Sequence, residues 1–350
     1  MRRGGRYAAA MGLALFLWAA PAFAALEDSL PSYLVEQWGN LTETLSDALS
    51  LRDKQETLPD SAWFGADKSS NAKKIDGLLD KALEILVQGQ AGDLRRQAVA
   101  LRAEIPELRL EADALRNQRI SAPETSRLPW VKTRSKIDAR LSELEEEITG
   151  RERALSALNA QLAEALRGLG LQLDDRQVDV LLSSVTGDDL LQNAVVFANV
   201  RLMVEKLAEL SREDRENLEI NRRYSGLYLV LNDLLIHTQE ELARKIDGEY
   251  KPRLGEIEKE AETLRKQALD KAAQAGYSEA QKKSFALNAE SNAVTLRVAG
   301  LYMQLLDAQR KGILDHLTAL RRNRDLAENT YRTVRSSGDL RNLIRSGLEL

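Results

Sequence analysis

Two adjacent carboxylate pairs, Asp174-Asp175 and Asp188-Asp189, are the residues of this chain best placed for chemistry. Carboxylates held close together can share proton-transfer work or bind a divalent cation. Neither pair has the spaced D-x-D-x-D-G form of a calcium loop. Both flank a short helix expected over Asp174 to Val185, with Gly187 closing it. An aspartate at a helix start accepts from backbone N–H groups that lack helical partners, and it suits the helix dipole. Gln177 stands three residues after Asp174, the spacing of a capping box. Capping is the first reading of all four acids, and a hydrolytic cleft is the alternative. His237 and His316 are the only histidines, and neither has a second histidine four residues on, so a helical zinc pair is excluded. The chain has no Cys, which removes disulfides, thiolate metal sites and cysteine nucleophiles. P-loop, G-x-G-x-x-G and G-x-S-x-G patterns are also missing. No catalytic residue, metal site or cofactor is therefore expected, and the chain reads as a non-enzyme.

The candidates for binding are of another kind. Trp63 and Trp130 sit in two stretches rich in turn formers, residues 57–72 and 117–133. Anchoring those loops is the first reading, and meeting a partner is the second. Leu340, Leu343 and Ile344 form an apolar strip just before the last residue, beyond a helix end expected at Gly338-Asp339. That strip can dock a partner or a membrane surface, or fold back on its own bundle. Arg151, Arg310 and Arg324 occupy seam positions in the heptad pattern described next. A polar residue there fixes register or partner choice at a cost in stability, or else its long side chain reaches out of a loose seam.

Helices must carry all of these residues. Ile137, Leu141, Leu144, Ile148, Arg151, Leu155, Leu158, Leu162 and Ala165 alternate steps of four and three, which keeps one stripe toward a partner helix. Leu94, Ala98, Leu101, Ile105, Leu108, Ala112 and Leu115 do the same, with a kink or a helix start expected at Pro106. The connector between the two runs lets the first arm double back on the second. Further on, Leu254, Ile257, Ala261, Leu264 and Ala268 form one seam. A second seam runs from Leu296 through Ala299, Met303 and Leu306 to Tyr331 and Val334, in a helix expected from Ser278 to Ser336. Between the arms, residues 190–207 and 224–236 are apolar on more than one side, as helices in a compact core are. They are expected to pack on each other or on the short helix. The fold class is thus all-α: elongated antiparallel helical coiled coils around a more compact central helical bundle.

Residues 1–24 read as an export signal. Arg2, Arg3 and Arg6 precede the uncharged run Ala8 to Ala20, and Ala22-Phe23-Ala24 supplies a small-x-small cleavage pattern. A retained N-terminal anchor and secretion are the alternatives to a periplasmic product. The further divisions are 25–128, an N-terminal helical region with a kinked arm; 129–170, a coiled-coil helix; 171–250, the compact core; and 251–350, the long-helix coiled coil. No integral membrane span is expected after cleavage. With 50 Lys+Arg against 54 Asp+Glu, the chain is mildly acidic, so nucleic acid is not an expected partner.

This layout resembles that of exported bacterial coiled-coil proteins, including the periplasmic helical parts of envelope adaptors and large mechanosensitive channels. The resemblance is one of architecture and transfers no residue. The expected function is a non-enzymatic periplasmic scaffold or adaptor that binds other envelope or membrane proteins, or a second copy of itself. An envelope hydrolase or its activator, and a secreted membrane-active helical protein, are the alternatives.

Overall fold

The computed structural model describes residues 31–63, 65–125, 130, 132–213 and 218–348, with side chains left out over 209–213 and 341–348. The expected export signal lies outside the described residues. The fold is all-α, and no strand occurs among the described residues. The helices are α1 (Ser32–Gln55), α2 (Lys68–Leu86), α3 (Gln90–Ser121), α4 (Arg134–Gly168), α5 (Asp175–Ser183), α6 (Gly187–Glu213), α7 (Leu218–Lys245), α8 (Lys251–Ala273) and α9 (Glu279–Leu348). A π turn, Ile246–Tyr250, joins α7 to α8. The chain divides into two units at Arg215/Glu216, within the 171–250 span read as one core.

The first unit contains two antiparallel hairpins. In α1–α2, Leu34, Leu41, Leu45 and Ala48 are buried, as are Leu79, Ala82, Ile85 and Leu86. Thr42 and Thr44 lie on that buried side without penalty, because each hydroxyl donates to the carbonyl four residues back, at 2.8 and 2.7 Å. In α3–α4, a cluster of Ala112, Leu115, Ala122, Ile137, Leu141 and Leu144 closes the end nearest the connector. Five ion pairs cross between these helices: Arg119–Asp138, Arg116–Glu145, Arg140–Glu111, Arg109–Glu152 and Arg151–Glu104. Their trend gives the antiparallel register, since Glu104 near the middle of α3 meets Arg151 while Arg119 near its end meets Asp138 at the start of α4. Arg119 donates to Asp138 at 2.5 Å, and this bond holds the Asp138 carboxyl below the usual range. The helix continues through Pro106, so of the kink or helix start expected there the start is corrected. A single exposed proline removes one N–H, and the buried residues Ile105, Ala112 and Leu115 hold the helix on α4 regardless.

At the opposite end of α3–α4, Ala91, Leu94 and Ala98 meet Leu162, Ala163 and Leu166. Val178 and Leu182 of α5, with Leu191, Val195 and Ala198 of α6, complete that core. The apolar 190–207 stretch therefore packs on the short helix, one of its two expected partners. Glycine is obligatory at the joints here. Gly89 has φ +96°, and a Cβ on it would stand 2.5 Å from the Tyr33 ring. Burial pushes the Tyr33 phenol up to about 12, opposed in part by Asn199 beside it. Asn199 is fully buried and its Nδ2 donates to the Leu86 carbonyl at 2.7 Å, which ties α6 to the end of α2.

The second unit is one long antiparallel hairpin, with α7, the π turn and α8 on one limb and α9 on the other. Ion pairs again give the register: Asp233–Arg324 at 3.3 Å, Glu240–Arg321 at 2.8 Å, Asp247–Arg310 at 2.6 Å and Lys251–Asp307 at 2.6 Å. This register sets Leu227 at the level of Tyr331, Leu254 at that of Leu306 and Ala261 at that of Ala299, all six buried. The π turn lies just ahead of Pro252, whose ring would clash with the carbonyl one α-turn back, and the wider turn relieves that clash. At the tip, Gly276 (φ +106°) reverses the chain, and Ser278 and Gln281 exchange the two bonds of a capping box. At 1.5 Å per residue, α9 is roughly 105 Å long. It continues through Gly338-Asp339, where the sequence pointed to an end. A helical glycine costs about 1 kcal/mol relative to alanine, and no proline follows to stop the helix.

Candidate interaction surfaces

In each carboxylate pair one acid has a clear structural partner. Asp174 caps α5: its side chain accepts from the Gln177 N–H at 2.7 Å, and Gln177 accepts from the Asp174 N–H at 2.9 Å. Asp188 lies in the first turn of α6 and pairs with Arg95 of α3, which is nine-tenths buried. Asp175 stands in the first turn of α5 and Asp189 in that of α6. No group of three or more His, Asp or Glu residues suited to a metal ion occurs among the described residues. His237 is buried in α7, and His316 is half-buried on α9.

The three seam arginines each reach an acid on the facing helix. Arg151 pairs with Glu104 at 2.9 Å, Arg310 with Asp247 at 2.6 Å, and Arg324 with Asp233 at 3.3 Å. All three are half-buried, as long side chains reaching out of a seam are. Arg310 and then Lys251 hold the Asp247 carboxyl below its ordinary range. Arg324 is the most enclosed of the three and also binds Glu328 at 2.7 Å. Arg324→Ala would leave the Asp233 and Glu328 carboxylates facing each other with less compensation. A loss of about 1–2 kcal/mol is expected in a thermal or urea melt, more than an exposed pair gives. Arg321→Ala, which removes a more exposed pair, serves as the comparison and is expected to cost less.

Trp63 and Trp130 do not anchor their loops. Trp63 is 98% exposed at the α1–α2 tip. That tip is nevertheless well built. Asp67 and Ser70 form a capping box, Lys68 pairs with Asp60 at 2.6 Å, Gln55 donates to the Lys68 carbonyl at 3.0 Å, and Asn71 donates to the Leu51 carbonyl at 2.8 Å. An ordered loop thus displays a large aromatic ring to solvent. Trp130 is 76% exposed in the α3–α4 connector, and Ile120, on the last turn of α3, is 79% exposed. Leu340 is 58% exposed on α9; Leu343 and Ile344 continue the same helix, with side chains outside the described residues. Trp63 and Trp130 crown different hairpins, and Leu340 belongs to the other unit.

Sequence reasoning missed a second apolar stripe on α9. Leu287, Val294, Val298, Leu301 and Leu305 are all exposed, and they follow steps of seven, four, three and four along α9. Leu301, 65% exposed, lies about 200° round the helix from buried Ala299, so this second stripe faces away from α8. On α8, Ile257 and Leu264 were expected inside the seam, but the structure leaves them exposed and buries Leu254, Ala261 and Ala268. The reason is geometric. A two-helix hairpin has one seam, and the small Ala261, Ala268, Ala289 and Ala299 fill it in this half, leaving larger flanking side chains outside. The heptad count that found the first seam also finds the second, displaced round the helix. No family model, curated protein or solved structure matches this chain.

Proposed function

We propose that this chain is an exported, periplasmic, non-enzymatic helical scaffold or adaptor that binds other proteins of the cell envelope. The observation that carries the reading is the second heptad stripe on α9, Leu287 to Leu305, which faces solvent behind the seam that already pairs with α8. Heptad spacing is useful only toward another helix, and exposed apolar strips of this kind commonly mark protein contact. The displayed Trp63 adds a second anchor, since tryptophan is the residue most enriched among binding hot spots. The Arg2 to Ala24 leader pattern supports export. The capping and pairing of Asp174 and Asp188 support a non-enzymatic role. No helix among the described residues is long and apolar enough to cross a membrane.

Crosslinking in intact cells, with mass spectrometry of the products, tests this. Crosslinks from α8 and α9 to other envelope proteins are expected, with a marked fall in Leu301→Glu. Recovery of intrachain or self-crosslinks alone would overturn the adaptor reading.

A further inference from the structure

The exposed stripe of α9 is complementary to itself when two copies run antiparallel. Positions 287, 291, 294, 298, 301, 305, 308 and 312 alternate steps of four and three and hold Leu, Ser, Val, Val, Leu, Leu, Ala and Gly. All are exposed except the half-buried Gly312. Ser284 and Asp315 are the next members of the row at either end, so its apolar part is bounded and runs about 38 Å. Turned antiparallel about a two-fold axis between Ala299 and Gly300, the row sets Leu301 opposite Val298, Leu305 opposite Val294, Ala308 opposite Ser291 and Gly312 opposite Leu287. No layer forces two leucines together. A Cβ on Gly312 would meet nothing within 4 Å, so packing within the chain does not call for glycine there, although glycine weakens a helix. Opposite Leu287 of a second copy, it makes room.

Charges along one edge of the stripe select that register. Glu290, Arg297, Gln304 and Lys311 stand seven apart on this edge and are all exposed, while Asn288, Thr295, Tyr302 and Gln309 on the other edge carry no charge. Glu290, Arg297 and Lys311 have no ion pair among the described residues. In the antiparallel register above, Glu290 meets Lys311 of the second copy, the axis makes that pair twice, and Arg297 meets Gln304. Sliding the helices by one heptad sets Arg297 against Arg297 in one direction and against Lys311 in the other, and like charges at such positions repel. Parallel pairing sets the charged edge against the uncharged one and gains no ion pair.

We propose that the occupant of this stripe is a second copy of the chain, paired antiparallel through Leu287 to Gly312 in a two-fold dimer. Such an interface is closed, since the same patch serves both copies. The dimer rests on the same reading of the stripe as a helix-binding face that the scaffold function uses. It leaves Ile257, Leu264 and Leu269, exposed on α8, for other proteins.

Sedimentation of the purified chain over a concentration series tests it, with disulfide trapping to fix the register. A reversible dimer is expected. Leu301→Glu, which sets a carboxylate beside the axis, should abolish it with helix content unchanged by circular dichroism. Lys311→Glu and Glu290→Lys should each weaken the dimer about tenfold, because the axis applies every change twice, and the two together should restore it. The chain has no Cys, so trapping has no background. Ser291→Cys together with Ala308→Cys should give disulfide-linked dimers on mild oxidation, and either substitution alone should not. The two positions lie about 25 Å apart along one helix, too far for a bond within the chain. A chain monomeric at every concentration would overturn the proposal, as would a dimer indifferent to Leu301→Glu or to both charge reversals. Trapping by Ser291→Cys alone, the mark of parallel pairing, would do the same. Crosslinks to envelope proteins from a monomeric chain would sink this dimer and spare the scaffold reading, whereas a dimer whose crosslinks in cells reach only itself would do the reverse.

Discussion

Gly187→Ala is expected to destabilise the first unit by about 3 kcal/mol, near the upper end for a single added methyl. Gly187 opens α6 directly after the α5–α6 turn, and it is buried. A Cβ built on it would stand 1.5 Å from the Leu181 carbonyl oxygen and 2.7 Å from Ser184 Oγ. The first neighbour is main chain at the end of α5, so it cannot rotate away as a side chain would. Relief requires moving α5 against α6, and with it Val178 and Leu182, which lie in the core shared by α3, α4, α5 and α6. The measurement is a urea or thermal melt followed by circular dichroism. Gly248→Ala is the control, since nothing lies within 4 Å of its Cβ position. A Gly187→Ala chain that melted with the wild type would show that the α5–α6 joint is loose.

The opposite sign is expected at Pro106. This residue is exposed in the interior of α3, where proline lacks the N–H that would bond to the Arg102 carbonyl. Host–guest scales put proline about 3 kcal/mol below alanine inside a helix. Pro106→Ala is therefore expected to stabilise the first unit by about 1–3 kcal/mol, the lower figure applying if the helix has already bent to relieve the ring. A raised denaturant midpoint with an unchanged slope is the expected signature. Unchanged or lowered stability would mean that Pro106 itself helps α3 to lie along α4 over its whole length.

Much of the fold was legible because heptad spacing is a local signal. Ile137, Leu141 and Leu144 share one face of a helix whatever they pack against. Asp174 with Gln177, and Ser278 with Gln281, are caps made within four residues, so adjacent sequence contains both partners. Helix ends at glycine were less legible. Gly276 reverses the chain with positive φ, whereas Gly338 continues the helix, and nothing in the two local sequences distinguishes a turn from tolerated backbone freedom.

What the sequence determined by itself was the helical class, the pairing of α3 with α4 and the aromatic residues in the connectors. Tertiary structure alone decided which apolar residues are covered. Ile257, Leu264, Leu287 and Leu301 carry the same periodic signal as Leu254 and Leu306, yet they face solvent, because a hairpin of two helices provides one seam and each limb carries more than one stripe. Periodicity describes a helix face, while burial depends on whether another helix arrives there. The same holds for the tryptophans. Their positions in turn-rich segments were readable, but their exposure follows from hairpin ends held closed by Asp67, Asn71 and Arg134, leaving the rings no interior to enter.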